Sequence, residues 1–489
     1  MKFFKNKKMK KTIYLLLSIS IVLLVSCTKD FEEINTNPNS PIEVQPSLLL
    51  RQVIYDYGEE MSYEGFVAGN LLGQYFTAID FNLFDRHSLT EPQFGGNPWF
   101  PIYTNLRDNE IIIDFARNNP SAAVYEGPAL ILKSYMTAAL TDIFGDVPYF
   151  EALNGKEGNV TPAYDSQELI YTGENGILSN LDQGIALLQE YNGAQPLEGD
   201  ILFNGNLDAW VKFAYSLKLK YLMRLSKKMD VASLVQSTVN ANILMTSNAE
   251  NATFDFSDGP PNNFRMATLR AGDFNLFIMS ETMEEILKDW NDPRMNTFFR
   301  PIGNDPTGTE FQGLLNGPDA SATSISVADY SLSGTIFREN TSALDANFLT
   351  AAEVQFLLAE AAELDYISGN AADYYNAGVL LSFEYWNTSM PNDYLISGNT
   401  AYKQNGNDPI EQIISQKWIH NIINGYEGWI EYRRTGFPQL KTISASLNNN
   451  LIPLRLPYPA DEEALNRDNY NNATATNQNS INSPVWWDE

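Results

Sequence analysis

Most hydrolytic chemistry needs a nucleophile, a base and an acid, and this chain of 489 residues is short of the first two: it has one cysteine, Cys27, and two histidines, His87 and His420. A Ser-His-Asp site would have to use one of those imidazoles. His420 stands in "QKWIHNIINGYEGWIEYRR", which reads as helix and turn and favours a structural role; His87 stands in a loop-like segment, where it could touch a ligand. Carboxylates abound, with 60 Asp plus Glu against 32 Lys plus Arg and a formal net charge of −28. A glycosidase needs two carboxyl groups flanking the scissile bond, and Asp142 with Asp146 could be proposed. In so acidic a chain such a pair carries little information, and Gly145 and Pro148 fit a turn there. "DFSDG" at 255–259 departs from the calcium-loop pattern, so the reading is no cofactor, with a structural calcium held by loop oxygens left open. Sugar recognition is better supplied. It takes flat aromatic rings against the apolar face of a pyranose, with amides, Arg or carboxylates bonding the hydroxyls. The stretch "FNLFDRHSLTEPQFGGNPWFPIY", 81–103, gathers four Phe, Trp99, Arg86, His87 and Asn97.

The N-terminus says where such chemistry would be placed. The first eleven residues carry six lysines and no acid, and Ile13 to Val25 follows as an almost wholly apolar run. That is the n-region and h-region of a secretory signal; it is short of the roughly 20 apolar residues that span a bilayer. Leu24-Val25-Ser26-Cys27 is similar to the bacterial lipobox, whose cysteine is acylated and becomes the new N-terminus. A solitary thiol has no intramolecular disulfide partner. The organisation expected is therefore a lipoprotein signal peptide over 1–26, a lipidated tether over 27–46 beginning at Cys27 and rich in Asn, Pro, Ser and acids, and a folded domain over 47–489. Loss of the six lysines leaves a net charge near −34, a surface that repels phosphate backbones and excludes nucleic acid as a partner.

Helical elements must position any site. Residues 347–386 read as an antiparallel helix pair: Thr350 and Glu353 have the spacing of a capping box, Val354, Leu357, Leu358 and Ala361 repeat at helical period, and Gly369 separates a second helix running from Ala371 towards Trp386. The length and the placement of small and aromatic residues are similar to a tetratricopeptide unit. A second pair begins at "EGPALILKSYMTAALTDIFGDVPYFEAL", stopped by Gly145, with its partner in 166–191; a third long helix is "NLDAWVKFAYSLKLKYLMRLSKKM". Helices also fit 47–79, 98–118, 231–246, 276–290 and 408–424. Stretches 250–275, 296–345 and 387–407, rich in Gly, Asn, Asp, Pro and Ser, read as long loops, which are uncommon in a compact domain unless they carry function. The fold class expected is all-α, a scaffold of tetratricopeptide-like helix pairs with long irregular loops.

Seven segments in order carry a resemblance over nearly the whole chain: the lipobox with "TKDFEEINTNPN", "LTDIFGDVPYFEAL", "WVKFAYSLKLKYLMRLS", "DPRM" at 292–295, "AEVQFLLAEAA", "QKWIHNIINGYEGWIEYRRTGFP" and "IPLRLPYPADEEALN". Together they resemble the SusD/RagB family of nutrient-binding outer-membrane lipoproteins, in its SusD-like branch. The resemblance implies a helical lid on a SusC-like TonB-dependent outer-membrane transporter, capturing a glycan or other oligomeric nutrient (a peptide included) at the cell surface without catalysis. Asp30, Glu32 and Glu33 then look like a surface-export signal. It also implies that ligand aromatics lie near 81–103 and in the insertions after the third helix. On that basis the expected ligand residues are Phe84, Arg86, Phe94, Asn97 and Trp99, with Phe264 and Arg265 as additions. Trp99 and Tyr103, four apart, equally fit the buried face of the following helix. Trp210, Trp386, Trp418 and Trp429 read as core, and Trp486 and Trp487 as docking the tail. The alternatives kept are a tetratricopeptide-type scaffold for a protein or peptide and, further off, a glycoside hydrolase.

Overall fold

Helix α1, Pro46–Glu64, buries Leu49, Leu50, Val53, Ile54 and Tyr57 along one stripe. These residues open the computed structural model, which describes residues 45–89, 95–319 and 324–488. Cys27, the rest of the leader and tether through residue 44, and Phe94 lie outside the described residues. Beyond Glu64 the chain widens into a π-helical turn, Gly65–Gly69, and one more turn at Asn70–Leu72. Strand β1, Phe76–Ala78, follows. Then come α2, Trp99–Asn118; α3, Glu126–Phe144; α4, Gln167–Thr172; α5, Ile177–Glu190; and α6, Leu207–Arg224. Local chemistry sets their ends: Gly145 at φ 82° stops α3, the Ser166 hydroxyl accepts from Leu169 N to start α4, and the Asn206 amide oxygen accepts from Ala209 N to start α6. Side-chain caps of this kind satisfy amides that a helix start leaves unpaired.

After α6 come α7, Ala232–Asn240; β2, Ala252–Asp255; β3, Phe277–Met279; α8, Glu281–Asp289; α9, Arg294–Phe298; and β4, Asp345–Leu349. The row of long helices then resumes with α10, Ala351–Glu363; α11, Ala371–Tyr385; α12, Pro409–His420; and α13, Gly425–Thr435, before the short α14, Ala460–Leu465, and α15, Arg467–Ala473. Each of α2, α3, α5 and α6 packs on the long helix before it; α6 also meets α10, which pairs with α11 and α12, while α13 returns to the π-turn after α1. The helix-pair scaffold is therefore present, and the segment between α6 and α10 is an insertion displayed from it. In α11, Gly378 has no room for a side chain, since a Cβ would stand 2.7 Å from the Phe356 ring of α10.

Three expectations are corrected. The helix expected over 47–79 ends at Leu72, and Phe76–Ala78 is strand β1. The helix expected over 276–290 starts only at Glu281, because Phe277–Met279 pairs antiparallel with β1, Phe76 opposite Met279. The pair expected from 347 likewise begins in β4, antiparallel to β2. Short apolar runs fit strand or buried helix equally well, and only the partner decides. The capping box at Thr350 is half formed: the Thr350 hydroxyl accepts from Glu353 N at 3.2 Å, but the Glu353 carboxylate turns to Lys220 of α6 at 2.9 Å.

That diversion belongs to a buried ionic network at the centre of the helix row. Lys220 also reaches Glu427 at 3.2 Å. Arg224 bonds Glu431 at 2.7 Å and stands 3.3 Å from Asp142 as an ion pair, Lys417 meets Glu431 at 3.2 Å, and Arg434 links Glu360 and Glu431 at 2.6 Å each. Arg433 takes no carboxylate in this network; it donates to the carbonyls of Leu454 and Asp142 and lies over the rings of Trp429 and Trp487 at 3.9 and 4.8 Å. The "DPRM" motif is a second knot: buried Arg294 binds Asp292, Ser382 of α11 and Gln416 of α12.

Candidate ligand-binding site

The loop between β1 and α2 is built on one buried acid. The Asp85 carboxylate accepts from Thr77 Oγ1 and Ala78 N on its own side, at 2.7 and 3.1 Å, and from Asn316 Nδ2 and Gly317 N across from it, at 2.7 Å each. Four donors favour the charged form, yet burial outweighs them and pushes Asp85 up to about 6. A third strand of chain joins through backbone bonds: Ser444 N to Asn316 O, Ala445 N to Gly317 O and Leu447 N to Arg86 O. Arg86 Nε donates to Ala445 O at 2.9 Å, and its far nitrogen stands 4.0 Å from Asp319. Arg86 is half-buried, and Phe81, at φ 48°, is 52% exposed on the same loop.

The loop's other end is fastened by Gly96, whose N–H donates to Glu64 of α1 at 2.6 Å. At φ 87° and with the Phe84 ring 2.5 Å from where a Cβ would stand, only glycine fits at this position. Asn97, next along, is half-exposed at the rim of a cleft of about 370 Å³. Phe144 and Tyr458 form its base, while Phe100, 43% exposed, Tyr470, Asn479, Asp461 and Glu463 line it. An exposed ring face with amides and carboxylates around it can cover a pyranose and bond its hydroxyls.

Three of the expected ligand aromatics are corrected by burial. Phe84 is 3% exposed and lies beneath Gly96. Trp99 is 3% exposed and packs edge-on to Phe144 at 5.0 Å and to Tyr458 at 5.8 Å, so it is the buried face of α2. Phe264 is fully buried between Phe66 and Phe256, at 5.7 and 5.5 Å. None of these rings has a face free for a ligand. Arg265 is held on α1 by Glu59 and Glu60 and lies over the Tyr63 ring at 4.6 Å, apart from the β1–α2 loop in the chain and in its contacts. Arg86 and Asn97 are the expected residues that this loop presents.

The other candidates are structural. His87 is buried, with Nδ1 on Leu451 O at 3.1 Å, and burial lowers it to about 4. His420 sits between the hydroxyls of Thr350 and Ser382 at 2.7 and 3.0 Å, lowered to about 3 by burial and by Arg294. Asp142 is buried under Tyr171, Trp487 and Arg224, and Asp146 accepts from Gln167 N. Among the described residues no group of three or more His, Cys, Asp or Glu is placed to hold a metal ion. Phe81 and Phe100 belong to the same aromatic-rich stretch, and Phe100 is legible in the sequence as the position facing away from the Trp99, Ile102, Leu106 stripe. Tyr470, Asp461 and Glu463 had no sequence signal, since only the fold brings the C-terminal segment to Asn97.

Residues 38–459 match the family model SusD-like_2, described as starch-binding and associating with the outer membrane. A solved chitin-binding protein superposes with a TM-score of 0.77 at 25% identity, covering 91% of this chain and 100% of its own. A SusD homologue from Bacteroides fragilis gives 0.77 at 26% identity, with the same coverage of 91% and 100%. A chitin-binding SusD homologue from Flavobacterium johnsoniae gives 0.75 at 23%, covering 91% and 97%, a likeness of fold alone. No curated protein matches this sequence.

Proposed function

The chain belongs to the SusD-like family, and from that premise we propose that it is a cell-surface lipoprotein, anchored in the outer membrane through Cys27, that captures a glycan and delivers it to a SusC-like TonB-dependent transporter without catalysis. The observation that carries this reading is the pairing of Asn97 and exposed Phe100 across one cleft with Tyr470, Asp461 and Glu463, beside the loop that presents Arg86 and Phe81. Two features support a binding role over hydrolysis: both imidazoles are buried and held neutral, and the one named carboxylate pair is spent on structure.

The family description and the chitin-binding relative make α-glucan and β-linked N-acetylglucosamine oligomers the first ligands to offer. The purified full chain should bind at least one member of such a panel and return it uncut. Release of shorter products would replace this reading with a hydrolase. Anchoring has its own test: Cys27→Ser should lose lipid labelling and membrane retention, and a variant that stays in the membrane fraction would reject Cys27 as the anchor.

A further inference from the structure

A second cleft, of about 320 Å³, lies between α8 and α12 and shares no lining residue with the loop site. Its α8 wall is the i, i+4 pair Ile286 and Trp290, a half-buried apolar floor, flanked by Glu285 and Asp289. Its α12 wall is one helical face, Asp408, Glu411 and Ser415. Lys441 closes one end and is already engaged by Glu281 and Glu285, at 2.9 and 2.6 Å. Asp289, Asp408 and Glu411 have no cation partner among the described residues. Asp289 accepts one bond from Asn399 at 2.8 Å, and Asp408 caps α12 through Ile410 N at 2.8 Å. Three carboxylates without a cation partner thus line one cleft together with Trp290.

A ligand is indicated independently by Ser415. It is 3% exposed, lines the cleft, and its hydroxyl makes no hydrogen bond among the described residues. Its side chain is packed while its one polar atom opens onto the cleft, where it is free to bond a ligand hydroxyl. Glu411 is pushed up by burial and by the like charge of Asp408, a repulsion that a bound cation would relieve.

From the ring, the hydroxyl and the uncompensated negative charge, we infer that the cleft between α8 and α12 is a second saccharide site that takes a sugar bearing a protonated amine. The pyranose lies on Trp290, its ammonium sits among Asp289, Asp408 and Glu411, and Ser415 bonds a ring hydroxyl. Charge makes the site selective: a uronic acid is repelled, and an N-acetylated sugar forfeits the ionic attraction. A cation-π contribution from Trp290 acts in the same direction.

The test is intrinsic tryptophan fluorescence and calorimetry on the full chain, titrated with a glucosamine tetramer, its N-acetylated counterpart, a galacturonic acid tetramer and tetralysine. The glucosamine tetramer should alter a signal that Trp290→Phe removes, should bind at least tenfold more weakly to Asp289→Asn/Glu411→Gln, and should weaken as salt rises. The two other sugars should bind this cleft at least tenfold more weakly than the amino sugar. Both carboxylate positions are at least partly solvent-exposed, so the double variant should melt like the parent, and its melt is recorded to show it. The signal should persist in Asn97→Ala/Phe100→Ala, which separates this site from the loop site. Equal affinity for the uronic and amino sugars, binding indifferent to the double variant, or binding of tetralysine without the amino sugar would overturn the inference.

Discussion

Asp85 shows how a residue's chemistry constrains the loop it holds. All four of its partners are donors, so Asp85→Asn would turn an amide N–H2 towards N–H groups and leave buried donors unpaired. About 1–3 kcal/mol of stability should be lost per unsatisfied group, and ligand affinity should fall with it as the loop loosens. A melt and a titration on the same variant check both. Phe100→Ala, which removes an exposed ring, should instead lower affinity and leave the melt within about 0.5 kcal/mol of the parent, whereas Arg86→Ala also removes the bond to Ala445 O and should cost about 0.5–1.5 kcal/mol. Phe84→Ala separates core from contact: deletion of a buried ring should cost on the order of 3–5 kcal/mol. The sequence made 81–103 legible as the aromatic-rich neighbourhood and identified Arg86 and Asn97. It did not distinguish Phe84 and Trp99 from Phe81 and Phe100, because a ring's composition is the same on either face of a loop and only packing decides which face is wet.

At the scale of elements, the helices were legible because caps, stops and apolar period agree locally, as at Gly145 and Asn206. The strands were not, because Phe277–Met279 becomes a strand only by meeting β1, far away in sequence. A close helix approach also depends on distant contact. At Gly69, in the turn after α1, a Cβ would stand 2.2 Å from the backbone nitrogen of Tyr426 on α13. Gly69→Ala therefore forces backbone apart and should destabilise by about 1–3 kcal/mol, seen as a lower denaturation midpoint with an unchanged slope.

For the whole molecule, the buried ion network sets the response to acid. Neighbouring Arg and Lys groups hold the Glu427 and Glu431 carboxyls below the ordinary Glu value of 4.5 despite burial. Folded values below unfolded ones mean that their stabilisation is complete above pH 4.5 and is lost as pH falls beneath it. Denaturation midpoints measured from pH 6 down to 3 should drop most steeply below 4.5, and Glu431→Gln should blunt that drop while costing about 3–5 kcal/mol at neutral pH. The same helix row displays the β1–α2 loop and the C-terminal segment side by side, with the proposed glycan held between them. Calorimetric affinity of the full chain and of Asn97→Ala/Phe100→Ala, for the best-binding oligosaccharide of the α-glucan and N-acetylglucosamine panel, tests that placement most directly. The predicted result is at least a tenfold loss of affinity with an unchanged melt and no shorter products from either protein; unchanged affinity in a folded double variant would contradict it.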